Sequence, residues 1–231
     1  MLRPASALNP RNGEGSALQL DDGSILLVYS EFYASNASDY GPARVVVTRS
    51  KDSGCTWSAS QVLVENDVLT TFSPSLLQLS SGEILLAYIR KRDQHDCSYW
   101  MQSSLDNGKS WGERWPIIPE PGNWVMNNDR LLQLSSGRLI QPLALITNTT
   151  ETDPFHCLST TFHSDDDGRS WSASRSRLSL EAVDGLQEPG LVERSDGSLL
   201  MFCRTSQGFQ FGATSYDSSE TWSSPTPIHD L

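Results

Sequence analysis

Short apolar stretches alternate with polar turns along the whole chain, and no segment keeps a sustained 3.6-residue period. One pattern occurs four times: an apolar strand, a two-residue polar turn closed by glycine, and a second apolar strand. The copies begin at Leu18, Leu77, Leu132 and Val192. Asp-Gly and Ser-Gly steps supply the positive φ that hairpin turns need. The pattern therefore predicts four β-hairpins and indicates that helices are scarce.

A second motif, Ser-x-Asp-x-Gly-x-Ser/Thr-Trp, interleaves with these hairpins. Its four aspartates are spaced 54, 60 and 51 residues apart, and the fourth copy has Ser219 where the others have glycine. Asp and Ser bond their own backbone, and Gly permits a left-handed conformation, so the motif suits a turn. Its Trp is expected to begin the next strand or to anchor it in the core.

The two motifs together define a repeat of roughly 50–60 residues that holds two hairpins, and hence about four strands. Repeated four-stranded sheets with one Trp motif per unit are typical of a β-propeller. A large β-sandwich is the competing all-β architecture, but it would not explain a repeat of near-constant length. We therefore predict an all-β propeller.

Composition and charge exclude some functional classes. The 231 residues include 17 Lys and Arg against 28 Asp and Glu, which gives a net charge of −11. This balance argues against a nucleic-acid partner. We see no membrane-spanning apolar run and no signal peptide, and the compartment stays open. The four isolated cysteines lack metal-ligand spacing, so neither a metal nor an organic cofactor is expected.

The Asp motif resembles the Asp-box of sialidases (neuraminidases), and the resemblance extends over essentially the whole chain. It implies a six-bladed propeller in which the boxes are outer turns with a structural role, far from the site. Asp-boxes also occur in propellers of other activity, so the motif alone does not specify a function. The box residues are Asp52, Trp57, Asp106, Trp111, Asp166, Trp171, Asp217 and Trp222.

Six blades of this repeat would need roughly 300–350 residues. The resemblance therefore implies that residues 1–231 form a sialidase-like propeller domain with only about four blades' worth of sequence, incomplete at its C-terminus. The third arginine and the tyrosine nucleophile of the family would belong to later blades.

The stretch from Glu188 to Arg204 resembles sialidases in its order: Glu, apolar strand, acidic-Gly turn, apolar strand, Arg. The resemblance implies that Glu188 polarises a tyrosine nucleophile and that Arg204 binds the substrate carboxylate. Arginine suits that task because it is always protonated and binds carboxylates in a bidentate manner. A tyrosine nucleophile is an exception among glycosidases. Alternatively, Glu188 begins a strand by chance and Arg204 pairs with a surface acid.

The resemblance also implies an acid/base at Asp39 and a first carboxylate-binding arginine at Arg11. Asp39 lies 13 residues before Asp52, and Arg11 lies 28 residues before Asp39. A general acid here needs a raised pKa to protonate the leaving oxygen. Alternatively, Asp39 belongs to a simple polar turn. The residues around Arg11 depart from the family's Phe/Tyr-Arg-Ile-Pro stretch and resemble a large bacterial group of sialidase-like propellers.

Other polar and aromatic residues allow two interpretations each. Residues 127–130 and 90–92 could line the central funnel or form local ion pairs. Trp100, Trp115 and Trp124 could stack on sugar or pack in the core.

Two functions from different classes follow. The first is a retaining exo-α-sialidase-like glycoside hydrolase that acts on a sialoside-type glycan. The second is a non-catalytic propeller that binds glycan or protein. A hydrolase of another acidic or neutral sugar lies between them.

Overall fold

A computed structural model of the chain describes residues 4–93, 95–118, 120–147, 156–181 and 184–229. These residues form strands and turns and contain no helix, so the predicted all-β class is confirmed. The described part of the chain accordingly has no helix long and apolar enough to cross a membrane. Two compact units divide the chain, unit 1 at Met1–Pro116 and unit 2 at Ile117–Leu231.

Unit 1 contains two antiparallel runs of strands that pair in chain order. The first run is β1 (Arg11–Gln19), β2 (Ile25–Phe32), β3 (Ala43–Ser50) and β4 (Gln61–Val64). The second is β5 (Thr70–Gln78), β6 (Ile84–Lys91), β7 (Cys97–Ser104) and β8 (Trp115–Pro116). Both runs contribute to one core, in which Leu26, Val28, Leu86 and Tyr88 are buried.

Unit 2 follows the same plan, except that two short strands take the place of one long first strand. The sheet around β11 (Leu139–Ile146) includes β9 (Asn123–Val125), β10 (Leu132–Gln133), β12 (Cys157–Ser164) and β13 (Ser172–Ala173). The last four strands pair in chain order: β14 (Gln187–Glu193), β15 (Leu199–Arg204), β16 (Phe211–Ser215) and β17 (Thr226–Pro227). Their shared core includes Ile140, Leu199, Met201 and Trp222.

The four predicted hairpins are present, and a glycine with positive φ closes each turn. Gly23, Gly82, Gly137 and Gly197 have φ between 78° and 94°. In the first hairpin the Gly23 N–H donates to the Leu20 carbonyl at 2.9 Å, and the other three repeat that bond at 2.8 to 2.9 Å. These turns join β1 to β2, β5 to β6, β10 to β11, and β14 to β15.

A β-bulge interrupts the first strand of three of the four hairpins at the same distance from the turn. Glu14, Ser73 and Glu188 each lie nine residues before the turn glycine, and their φ values are 52°, 52° and 49°. The strand register shifts at each of them. In the third repeat Asp129 has φ 58°. Bulges re-aim side chains and are common beside active sites, so these positions mark where the chemistry should be sought.

All four Asp-boxes form the same hydrogen-bonded turn. In the first, Ser50 donates its hydroxyl to Asp52 Oδ1 and accepts the Gly54 N–H, both at 2.8 Å. Thr56 donates its N–H and its hydroxyl to the two oxygens of the same carboxylate. The equivalent bonds surround Asp106, Asp166 and Asp217. Each box carboxylate therefore accepts hydrogen bonds from residues of its own turn.

Each box tryptophan precedes the last strand of its repeat, and two of the four bond to their own turn. Trp57 and Trp171 donate their indole N–H to the box glycine carbonyl at 3.0 and 2.9 Å. Trp222 donates instead to Thr161 Oγ1 at 3.2 Å.

Hydrogen bonds from Ser170 lower the pKa of the Asp166 carboxyl to about 2, because they favour its charged form.

Replacing Ser219 by glycine is expected to stabilise the protein by about 1 kcal/mol and to raise Tm by about 2–4 °C. Ser219 is fully buried, has φ 75°, and its hydroxyl has no hydrogen-bond partner among the described residues. Glycine removes both the left-handed strain and the unsatisfied hydroxyl. Thermal unfolding measures the change. Gly168→Ser, at the same position of the third box, should lower Tm; an S219G variant that melts no higher would contradict this account.

Candidate functional site

Arg11, the first residue of β1, contacts Asp39 in the loop between β2 and β3. Its Nη1 donates to Asp39 Oδ1 at 2.5 Å and to the Ala37 carbonyl at 3.2 Å. The guanidinium lies over the Phe32 ring, with Cζ 4.2 Å from the centroid. The Asp39 side chain is 61% exposed, against 31% for Arg11. A fixed cation and an accessible carboxylate are therefore adjacent at one end of the first sheet.

Glu14, at the β1 bulge, holds the other side of the same arginine. It accepts a hydrogen bond from Arg11 Nη2 and a second from Ser73 Oγ at 2.8 Å. Burial raises the pKa of the Glu14 carboxyl, although the bonds from Ser73 and Arg11 act in the opposite direction. The residues at two equivalent bulges, Glu14 and Ser73, thus bond each other and position Arg11. Sequence reasoning missed Glu14; its only signal was the spacing to Gly23 that Glu188 shares with Gly197.

An ion pair with a buried carboxylate joins the strands next to this cluster. Glu31 and Arg44 are cross-strand neighbours in β2 and β3. Arg44 donates to Glu31 Oε2 from Nε at 2.7 Å and from Nη2 at 2.6 Å, and the Glu31 side chain is only 2% exposed. Two donors on one carboxylate fix both side chains in this strongly desolvated position.

A second cationic cluster surrounds Asp67 in unit 1. Arg90 and Arg114 donate to its two oxygens at 2.6 and 2.5 Å. Both guanidinium groups also lie over the Trp100 ring, with the Cζ atoms of Arg90 and Arg114 at 4.7 and 5.6 Å from the ring centroid. Burial raises the pKa of the neighbouring Tyr88 hydroxyl to about 12, so this phenol stays protonated at neutral pH. Of the two interpretations of residues 90–92, the structure shows a local ion pair for Arg90.

Glu188 and Arg204 form the corresponding carboxylate–arginine pair of unit 2. Arg204, the last residue of β15, donates from Nη1 to Glu188 Oε1 at 2.9 Å. The Arg204 side chain is 62% exposed and that of Glu188 is 34% exposed. Gln187, the register partner of Arg204, donates to Asp184 Oδ2 at 2.5 Å. The bulge at Glu188 directs its carboxylate to the strand end where Arg204 lies.

The structure thus brings the predicted residues together in two pairs, one in each unit. Arg11 contacts Asp39, and Glu188 contacts Arg204. Residues 127–130 precede β10 rather than opening a long strand. Of the tryptophans, Trp124 is 1% exposed and packs edge-on against Phe162, so its role is core packing.

Comparison with known proteins identifies the family. The model of the BNR repeat-like domain matches residues 28–230. A sialidase from Paraclostridium sordellii is 22% identical over 237 residues, covering 91% of this chain and 57% of the relative. A sialidase from Clostridium perfringens is 22% identical over 236 residues, covering 91% and 60%. The chain therefore belongs to the BNR repeat-like domain family, within the sialidase superfamily.

Solved structures share the fold at low identity. A protein of unknown function from Dyadobacter fermentans has a TM-score of 0.79 and 20% identity, over 97% of this chain and 70% of that one. Trypanosoma rangeli sialidase, solved with sialic acid, has a TM-score of 0.71 and 20% identity, over 92% and 37%. The chain spans about three-fifths of the length of the two curated sialidases.

Proposed function

We propose that this chain is part of a retaining exo-α-sialidase-like glycoside hydrolase that acts on terminal sialic acid or a related acidic sugar. The observation that carries the proposal is the pair of arginine–carboxylate contacts, Arg11 with Asp39 and Glu188 with Arg204. Their order and spacing match those that the resemblance to sialidases implies. The sialidases among the relatives and the sialic acid bound by one structural neighbour support the substrate class.

In this mechanism each arginine exchanges one carboxylate for another. A substrate carboxylate that binds Arg11 takes the place of Asp39, and one that binds Arg204 takes the place of Glu188. Once released from Arg11, Asp39 takes up a proton from solvent and donates it to the leaving oxygen as general acid; the carboxylate formed by that transfer later accepts a proton from the attacking water as general base. Glu188 is free to accept the proton of a tyrosine nucleophile. Glu14 keeps Arg11 in place throughout the exchange.

The architecture that would combine these pairs is also part of the proposal. We propose that the four repeats are blades of a six-bladed sialidase-type propeller, of which residues 1–231 supply about four as an incomplete domain. The third arginine and the tyrosine nucleophile of the sialidase mechanism are then contributed by other blades.

Non-catalytic glycan binding is the second candidate, and one observation favours it. Asp39 is already bonded to the Arg11 guanidinium, so its carboxyl group is engaged within the protein before any ligand arrives. If the pair does not separate when ligand arrives, the chain binds an acidic sugar without cleaving it.

Measurements of hydrolysis and of binding together distinguish the two candidate functions. The protein expressed from its complete coding sequence is incubated with a fluorogenic α-sialoside, with the matching β-galactoside as control, and the released anomer is followed by NMR. Hydrolysis of the sialoside with initial release of the α-anomer supports the hydrolase. Calorimetric binding of sialyllactose without cleavage supports the binding role. Neither binding nor cleavage of the sialoside would contradict both.

A further inference from the structure

A cavity of about 570 Å³ lies in unit 1 beside the first and second Asp-boxes, and the proposed function does not use it. It is of the size typical of small-molecule sites. Its lining combines cations, an indole and polar side chains, among them Arg49, Lys51, Lys109, Trp57 and Gln61. No Asp or Glu belongs to this lining in the described part of the chain. The cavity is therefore basic, although the whole chain carries a net charge of −11.

The three cations differ in how they are held. Arg49 donates from Nη1 to Ser24 Oγ at 2.9 Å and from Nη2 to the Asn107 carbonyl, so its guanidinium is fixed at the cavity wall. Lys51 and Lys109 are exposed and form no ion pair with any residue that the structure describes. Two ammonium groups are therefore available to a ligand.

One carboxylate lies near these cations without lining the cavity. Hydrogen bonds from Ser24 lower the pKa of the Asp22 carboxyl, with smaller contributions from Arg49 and Lys51. Asp22 makes no ion pair with either cation among the described residues. It therefore leaves the donors of Lys51 and Lys109 free.

Unit 2 contains a cavity beside its own two boxes in which the charges are already paired. This cavity, of about 450 Å³, lies beside the third and fourth boxes and is lined in part by Arg138, Asp165 and Glu220. Arg138 donates to Asp165 at 2.8 Å and to Glu220 at 3.0 Å. A cation is thus neutralised there by the protein's own carboxylates.

Two of the residues that line each cavity occupy the same positions of the Asp-box motif. Lys51 and Asp165 each stand directly before a box aspartate, and Lys109 and Glu220 each stand three residues after one. The same two turn positions therefore carry carboxylates in unit 2 and ammonium groups in unit 1. Unit 2 thus carries its own anions at these two positions, whereas unit 1 presents two cations there that an external anion can bind.

We infer that the unit 1 cavity binds an acidic saccharide, a sugar that carries a carboxylate or sulfate group. Lys51 and Lys109 bind the charged group, and Arg49 adds a fixed positive charge. Trp57 offers an indole held in place by its 3.0 Å bond to the Gly54 carbonyl, against which a sugar ring can pack. The Gln61 amide, which is exposed, is available to sugar hydroxyls. This inference does not depend on the proposed activity.

The test is calorimetric titration of the protein with a chondroitin sulfate disaccharide, with lactose and inorganic sulfate as comparison ligands. The disaccharide should bind, more weakly as salt increases, and a K51D/K109E variant should bind it at least about tenfold more weakly. The introduced residues are those that unit 2 carries at the same positions, so the variant should fold, as thermal unfolding will verify.

Two further variants distinguish this cavity from other effects. R169E/R194D changes the net charge by the same amount in unit 2 and should leave binding unchanged. R11A/R204A removes the arginines of the proposed hydrolase site and should also leave it unchanged. Equal losses in K51D/K109E and R169E/R194D would overturn the inference, as would equally tight binding of lactose or of sulfate, the latter showing an adventitious anion only. Loss of binding in R11A/R204A would assign the ligand to the other site.

Discussion

Replacing Arg204 by alanine is expected to lower kcat/KM for an α-sialoside by at least about a hundredfold in the protein expressed from its complete coding sequence. Arg204 ends β15 with a side chain that is 62% exposed and whose Nη1 donates to Glu188 Oε1. Its remaining donors face solvent, where a substrate carboxylate can reach them. The variant removes one of the two permanent cations to which the proposed function assigns carboxylate binding.

Arg194 supplies the matched control. It stands at the opposite end of the same β14–β15 hairpin and makes a long 3.5 Å contact to Thr214 Oγ1. R194A should keep full activity, and both variants should unfold at nearly the same temperature because both arginines are largely exposed. Arg204→Lys keeps the charge without the planar fork and should retain intermediate activity. Unchanged turnover in R204A would remove Arg204 from the mechanism.

The repeat pattern predicted most of the fold because its determinants are local. Gly23 and its three equivalents adopt the positive φ that their turns require, and the apolar runs on either side pair as hairpins. The Asp-box turns are likewise held by residues within four positions of the aspartate. Hydrogen bonds of such short span leave a clear trace in sequence.

The bulges could not be predicted in the same way. Glu14, Ser73 and Glu188 adopt a left-handed conformation that none of the three side chains favours, so nothing in their identity announces it. The register shift comes from pairing with the neighbouring strand, a tertiary effect. The Glu14–Ser73 bond joins residues 59 positions apart, and only the folded unit shows that it positions Arg11.

The third repeat shows how identical patterns can diverge. Leu132-Gln-Leu matches Leu77-Gln-Leu, yet β5 has nine residues and β10 has two. The far end of β11 pairs with Asn123–Val125 instead, and Asp129 turns the chain between the two segments. The choice of partner for β11 depends on long-range packing, which the local pattern does not contain.

Replacing Gly185 by alanine is expected to destabilise the protein by about 3–5 kcal/mol, measured as the free energy of unfolding in urea. Gly185 has φ 65° and forms a parallel bridge to Cys157. An added Cβ would lie well inside van der Waals contact with the Cys157 carbonyl oxygen and close to the Cys157 nitrogen. Both of these are backbone atoms in β12, so they cannot move aside as a flexible side chain would.

Backbone hydrogen bonds on either side of Gly185 prevent the chain from moving away from this clash. They also connect the clash to the strand that carries Glu188. The Cys157 N–H donates to the Asp184 carbonyl at 3.1 Å, and the Leu186 N–H donates to the Cys157 carbonyl at 3.0 Å. Moving Gly185 breaks both bonds just before β14, in which Glu188 lies. Gly197→Ala is the control that distinguishes the steric clash from the backbone strain. Gly197 has φ 81°, but no atom lies within 4 Å of an added Cβ. That control should cost about 1–2 kcal/mol for its conformation alone; equal losses in the two variants would show that the contact with Cys157 contributes nothing.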